Sequence, residues 1–391
     1  MIRGLIVGTL VSQVVAGAAY AQENRFQVST LVVDTYDSNI LRLGDQRTDN
    51  PTDNLSISPR VAIDFNRRFG RHRAFATGYA GYNFNSRFRF LNREELALNG
   101  GVDMRLGPRC RISPTASVLR SQSDLEDLGE IVTNAATIQD YDIQLSCPRP
   151  AGFYPRIGAG YYRVDNSKIR RERDQSIVDA RFGLSYARPS IGDFELFAQV
   201  SRFQRARRDP TPTGLLQDET DVRAIALRFN RDVGTRFESS IQVGYTHVDP
   251  KTVDVPSFSG LTYQGNLTYS PAPPIALTLT VGRQISGRGN LGTSYYVSDN
   301  VELRSRMKLS ARTTVGGGIQ LSRREFAGED RVFQFGPRGQ TQQLDVNASI
   351  GYRLAQPINL NLSGRYRLRD SENDFYDYDS LAATLSAAMS F

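Results

Sequence analysis

FYDYDSLAATLSAAMSF, residues 375–391, ends the chain. Counting back from the terminus, Phe391, Met389, Ala387, Leu385, Ala383 and Leu381 are apolar. Between them stand Ser390, Ala388, Ser386, Thr384, Ala382 and Ser380, all small or polar. Side chains of a strand point alternately to its two faces, so this period of two makes a strand with one apolar face. Any half-buried antiparallel strand alternates in this way, so the fold turns on whether the rest of the chain repeats the pattern.

It does. Eighteen segments of about 10–15 residues read as strands, sixteen being the alternative count. Leu98, Val102 and Met104 alternate with Ala97, Asn99, Asp103 and Arg105. Phe237, Ile241, Val243 and Tyr245 alternate with Glu238, Ser240, Gln242 and Thr246. Leu277, Leu279 and Val281 alternate with Thr278, Thr280 and Gly282, and Leu344, Val346 and Ile350 with Gln343, Asp345 and Ser349. The segment beginning at His72 is the least clear, its Ala, Gly and Tyr residues fitting either face. The connections alternate as well. Short Gly- or Pro-marked turns near Gly70, Gly107, Pro148, Gly192, Gly234, Pro271, Ala311 and Pro357 are separated by polar stretches that are mostly longer, such as 36–53, 121–133, 205–217 and 325–339. A soluble sandwich has no reason to alternate its loop lengths. A transmembrane β-barrel does, with short periplasmic turns and longer outer loops. Backbone amides in hydrocarbon must all be paired, and a sheet achieves that by closing on itself. The expected fold is therefore all-β: a transmembrane, antiparallel, up-and-down barrel with both termini in the periplasm.

The opposite end of the chain gives a matching address. Arg3, an apolar run over 5–18 and Ala19-Tyr20-Ala21 make a secretory signal peptide over 1–21. Residues 22–391 then form one outer-membrane barrel domain. No later stretch approaches the ~20 apolar residues of a spanning helix. A charged fraction of 23% and a mean hydropathy of −0.40 suit a barrel with a wet lumen. Eighteen Tyr and twenty Phe can furnish aromatic girdles, although Trp is absent. The net charge of +7 comes from scattered Arg rather than a basic run, which argues against nucleic acid.

Parity assigns a lumen. Its charged residues include Arg60, Asp64, Asp103, Arg105, Arg111, Asp142, Arg156, Asp179, Arg181, Glu195, Arg228, Glu238, Glu302 and Asp345. Arg304, Arg306 and Lys308 share the inner face of one strand, and Arg365 and Arg367 that of another. Such stripes can line a path for anionic solutes or polymer, or pair with carboxylates on neighbouring strands and brace the wall. Cys110 opens one strand and Cys147 closes the next, at the same end and on the same face, so they can form a disulfide at the periplasmic rim or stay as two buried thiols. The two His, at a periplasmic turn (His72) and the outer rim (His247), are too few for a zinc site and badly placed to serve a nucleophile. No cofactor is expected, and the chain does not read as an enzyme. Gly316-Gly317-Gly318 falls mid-strand, where it permits close packing rather than phosphate binding.

An aromatic last residue closing a barrel strand, here Phe391, resembles the signal that outer-membrane barrels present to their assembly machinery. A narrower resemblance lies at 35–65. Tyr36-Asp37-Ser38-Asn39-Ile40, followed by Asp53-Asn54-Leu55-Ser56-Ile57-Ser58-Pro59, is similar to the opening of the outer-membrane β-barrel porin family associated with exopolysaccharide export, and Arg93–Gly100, with its ELALNG run, resembles that family's fourth strand. The resemblance implies a barrel set in outer-membrane lipid that helps a polysaccharide chain leave the cell, working with a periplasmic export protein. Asp37 and Asn39 then either contact polymer or cap a turn at the outer rim. The competing reading is a general or anion-preferring diffusion porin, with 36–53 as a loop long enough to fold inward. A surface adhesin acting through its outer loops is a third.

Overall fold

The computed structural model describes residues 24–44, 50–123, 125, 133–205, 210–211, 214–215, 218–251, 256–286, 295–327 and 339–391. The expected signal peptide, 1–21, lies outside the described residues. Eighteen long strands follow one another: β1 (Arg25–Asp37), β2 (Asn54–Phe69), β3 (His72–Asn85), β4 (Arg93–Leu106), β5 (Cys110–Gln122) and β6 (Ala135–Ser146). Next come β7 (Gly152–Asp165), β8 (Gln175–Arg188), β9 (Gly192–Arg205), β10 (Asp218–Val233), β11 (Phe237–Pro250) and β12 (Phe258–Ala272). The last are β13 (Ile275–Ser286), β14 (Tyr295–Lys308), β15 (Thr313–Ala327), β16 (Gln340–Arg353), β17 (Ile358–Ser371) and β18 (Tyr378–Ser390). Each pairs antiparallel with its neighbours in sequence, and β18 pairs with β1 from Ser29↔Ser390 to Asp37↔Ala382. The sheet therefore closes, as the repeated alternation requires. A two-residue ladder, Pro210–Thr211 with Gly214–Leu215, sits in the loop after β9.

The outward set is apolar and exposed. Leu261, Leu381, Leu385, Ile241, Val243, Leu227 and Val178 would all face hydrocarbon. Phe153 packs on Tyr186, and Phe194 on Phe229, toward the periplasmic end, while Tyr36, Tyr245 and Tyr366 stand toward the outer end. Fourteen residues at ~3.3 Å, tilted ~40°, rise about 35 Å, so the strands project beyond an apolar band of about 25 Å.

Turns at the end that holds the termini run from two residues (70–71) to five (147–151); those at the other end run from six (372–377) to sixteen (38–53). Gly70 and Gly234 adopt φ +58° and +59° in these turns, a conformation that suits glycine. Three outer loops share one closing device that the period of two does not reveal. Short 3-10 helices, Arg89–Leu91, Lys168–Arg173 and Asp374–Tyr376, end at Asn92, Asp174 and Asp377. Each of these three then accepts, on its side-chain oxygen, the backbone N–H of Asn85 (2.7 Å), Asn166 (2.7 Å) or Ser371 (2.6 Å) across the loop. Burial pushes the Asp377 carboxyl up from its ordinary pKa, partly opposed by that N–H.

Candidate functional site in the lumen

The inward set meets in the periplasmic half of the wall around Glu195 on β9, whose side chain is 1% exposed. Three strands bring guanidinium groups to it. Arg181 of β8 donates from Nη2 to Oε1 at 2.6 Å, and Arg156 of β7 and Arg228 of β10 donate from Nη1 to Oε2 at 3.3 Å each. Arg156 also donates to Asp193 Oδ2 (3.2 Å) and to the Tyr154 hydroxyl (2.6 Å), which itself bonds Asp193. Beneath, the Phe197 ring lies 3.7 Å from the Arg181 guanidinium and 5.2 Å from that of Arg228. A carboxylate this far from water is tolerable because charge-assisted hydrogen bonds converge on both oxygens. Three cations against Glu195 and Asp193 leave the cluster positive.

A second cluster lies on β16 and β17. Asp345 accepts from Arg365 Nε (2.7 Å), Arg367 Nε (3.0 Å) and Gln343 (2.6 Å). On β14, Arg304 bonds Glu302 on its own strand. Gly318 and Gly316 face Arg304 and Arg306 across β15, and a Cβ on Gly318 would meet Arg304 Cγ at 3.4 Å. A Cβ on Gly318 would also meet Asn347 Nδ2 and Leu303 O at 3.2 Å, and one on Gly316 Ser349 Oγ at 3.1 Å, so the glycines permit close packing of the neighbouring strands. The basic stripes therefore divide. Arg181, Arg228, Arg304, Arg365 and Arg367 line the central cavity together with its carboxylates, whereas Arg306 and Lys308, at the periplasmic end of β14, do not.

Two elements cover the outer mouth. In the described part of the first loop, Leu41 and Leu43 pack on Leu91 and Leu125 from the loops after β3 and β5, so this segment reaches across the outer ends of β2–β5. The second element has no sequence signal. Ile285, Tyr295 and Val297 belong by parity to the lipid face, yet they are packed against Val222, Val248 and Phe258 of the lumen face. The ladder between β12 and β13 stops at Tyr263↔Arg283 although both strands continue. The outer end of the β13–β14 hairpin therefore turns inward over the lumen, and the Tyr295 hydroxyl donates to Pro256 O at 2.8 Å. The remaining cavity is about 680 Å³, lined by nine arginines against five carboxylates; Asp193 and Asp299, which pair with Arg156 and Arg283, bring the surplus down to two positive charges.

The other anticipated positions fall as follows. Cys110 and Cys147 form a disulfide at the periplasmic ends of β5 and β6. Phe391 lies at the same end, its N–H bonded to Val28 O (2.8 Å). Asp37 and Asn39 are buried and close the seam between β1 and β18. Asp37 accepts from Arg42 (2.9 Å), Ser380 Oγ (2.8 Å) and the Asn39 N–H (2.9 Å). Asn39 Nδ2 donates to Leu43 O (2.7 Å) and Asp379 O (2.9 Å). His72 accepts the Arg105 N–H on Nδ1 (3.3 Å) at its turn, and His247 pairs with Ser259 Oγ (2.7 Å) at the outer rim.

A closed eighteen-strand barrel with a hydrophobic outer belt, a charged lumen and inward-folded cover defines an outer-membrane porin, a channel rather than an enzyme. The chain belongs to the Putative beta-barrel porin 2 family, whose model matches residues 162–391. Among solved structures it is similar to a BenF-like porin from Pseudomonas fluorescens Pf-5 (11% identity, TM-score 0.48, covering 94% of this chain and 99% of that one). It is also similar to OccK2 (OpdF) of Pseudomonas aeruginosa in complex with glucuronate (12%, 0.49, 94% and 98%). The FrpB iron transporter of Neisseria meningitidis, F5-1 variant, is a third likeness (9%, 0.50, 90% and 64%). No curated protein matches the chain.

Proposed function

We propose that this porin is an anion-preferring diffusion channel of the outer membrane. The observation that carries the reading is the surplus of arginine around the central cavity, concentrated at Arg156, Arg181 and Arg228. Arginines held by carboxylates keep fixed positions while still presenting a positive surface, which lowers the barrier for a passing anion. The inward-turned β13–β14 end narrows the path on its outer side.

Export of an exopolysaccharide, with a periplasmic export protein as partner, is the competing reading, and it rests on the resemblance at 35–65. Asp37 and Asn39, the residues that carry it, are engaged in closing the barrel. Reconstitution in planar bilayers under a KCl gradient tests the proposal: the reversal potential should lie toward that of chloride. Cation preference would overturn it. A deletion strain that loses secreted polymer, regains it on complementation and takes up small anions normally would support export instead.

A further inference from the structure

The short periplasmic turns carry charge of one sign. Arg71, Arg109, Arg149, Arg236 and Arg312 stand in five of the eight turns, and none of the eight holds an Asp or Glu. All five arginines are exposed, and none of their side chains forms a hydrogen bond or ion pair among the described residues. None lines the central cavity. The strand ends repeat the bias. Arg188 at the end of β8 and Arg231 near the end of β10 have lipid-face parity and are exposed. The nearest strand carboxylates, Asp103, Asp193, Asp232 and Glu238, have lumen parity. The terminal carboxylate, at Phe391, lies beside β1. At the outer rim, by contrast, carboxylates share the lipid face with cations: Arg120 bonds Glu94, Arg202 bonds Asp221 and Arg283 bonds Asp299.

Each of these five arginines has an exposed apolar residue close by in sequence. Phe69 precedes Arg71, Leu106 precedes Arg109, Phe153 follows Arg149, Val233 and Phe237 flank Arg236, and Leu309 precedes Arg312. A cation beside an exposed apolar side chain suits the boundary of a bilayer, where the apolar part meets acyl chains and the guanidinium reaches phosphate. A soluble anion would make no use of Phe69 or Phe153. The placement points the same way. The five turns join β2 to β3, β4 to β5, β6 to β7, β10 to β11 and β14 to β15, so they are spread round the barrel rather than gathered on one wall. Lipid is what surrounds a membrane barrel on every side.

We propose that the periplasmic turns bind anionic phospholipid, through its phosphate group, in the inner leaflet of the outer membrane. Guanidinium forks match phosphate oxygens two at a time. Each cation held near an anionic leaflet strengthens the attraction about fivefold. This collar is distinct from the ring around Glu195 and goes beyond the diffusion reading, since it needs no open pore.

The probes are spin-labelled phosphatidylglycerol and spin-labelled phosphatidylcholine, in phosphatidylcholine vesicles that hold the folded barrel. The phosphatidylglycerol label should be enriched in the motionally restricted lipid at the barrel surface, by about threefold averaged over both leaflets. The enrichment should fall as salt rises. Arg71→Gln, Arg109→Gln, Arg149→Gln, Arg236→Gln and Arg312→Gln together should abolish it. Arg223→Gln/Arg323→Gln, which removes exposed cations of the outer rim, should keep most of it. Heat-shifted gel mobility checks that each variant is folded. Equal partition of the two labels at the wild-type surface would overturn the assignment and leave the turns to an acidic soluble partner. Enrichment that survives loss of the five arginines, or that the outer-rim variant loses equally, would also overturn it. Inorganic phosphate that abolishes the enrichment, when chloride at equal ionic strength does not, would reassign the turns to a free anion. A barrel that keeps the enrichment yet prefers cations in bilayers would sink the diffusion reading and leave this one standing.

Discussion

Glu195→Gln is the substitution that tests the central ring most directly. Three guanidinium groups, at 2.6, 3.3 and 3.3 Å, converge on a carboxylate that is 1% exposed. Removing one member of a buried ionic cluster costs about 3–5 kcal/mol, because the remaining charges lose their partner without regaining water. Gln keeps one acceptor oxygen, and Arg156 is 33% exposed to lumen water. The loss should therefore lie near the lower end, about 3 kcal/mol. With a urea slope of about 3 kcal/mol/M, the unfolding midpoint would fall by about 1 M. The chain has no Trp, so the readout is far-ultraviolet circular dichroism with folded and unfolded gel mobility of the barrel in lipid vesicles. Arg181→Gln, which leaves Glu195 two cations, should lose less. The double variant should lose less than the sum of the two, as coupled groups do. A midpoint within about 0.2 M of wild type for Glu195→Gln would mean that water already screens the ring, and the reasoning would fail.

Further expectations concern the wall, the disulfide and the seam. Leu279→Arg on the lipid face should cost about 2–4 kcal/mol if it sits near the bilayer midplane, while Thr280→Arg, on the lumen side and facing Glu302, should be mild; equal defects by heat-shifted mobility would mean the faces are wrongly assigned. Cys110→Ser opens a bridge spanning 37 residues of sequence and should cost about 2–4 kcal/mol, a loss that reductant reproduces in the wild type but not in the variant. Asp37→Ala removes the acceptor of Arg42, Ser380 and the Asn39 amide, and should lower stability by about 2–3 kcal/mol, read by the temperature at which the barrel opens on a gel.

Much of the wall was legible residue by residue. Leu381, Leu385 and Met389 alternate with small residues because one side of the wall meets hydrocarbon and the other meets water or packed lumen side chains, so each position carries its own mark. The two cysteines could be matched because strand ends and parity placed them together. The basic stripes were visible but their partners were not. Arg304 and Arg306 look alike in sequence, yet one lines the central cavity beside Glu302 and the other does not. Asp37 and Asn39 were open between polymer contact and capping, and the seam with Ser380 and Asp379, 343 and 340 residues away, uses both for closure. The clasps at Asn92, Asp174 and Asp377 went unread because a single Asx before a strand is too common to stand out.

By itself the sequence determined a closed transmembrane barrel of eighteen or sixteen strands, which face meets lipid and which end holds the short turns. Those follow from solvent polarity alternating across a one-residue-thick wall, a constraint local to every residue. Only the tertiary structure decided which charges meet. Register between neighbouring strands sets Glu195 opposite Arg228 but Arg105 opposite Arg111, and period two is blind to that choice. It also decided the inward turn of β13–β14. Ile285 and Tyr295 keep the parity of lipid-facing residues, and they are buried because the whole hairpin end leaves the wall, a rotation that no alternation pattern records.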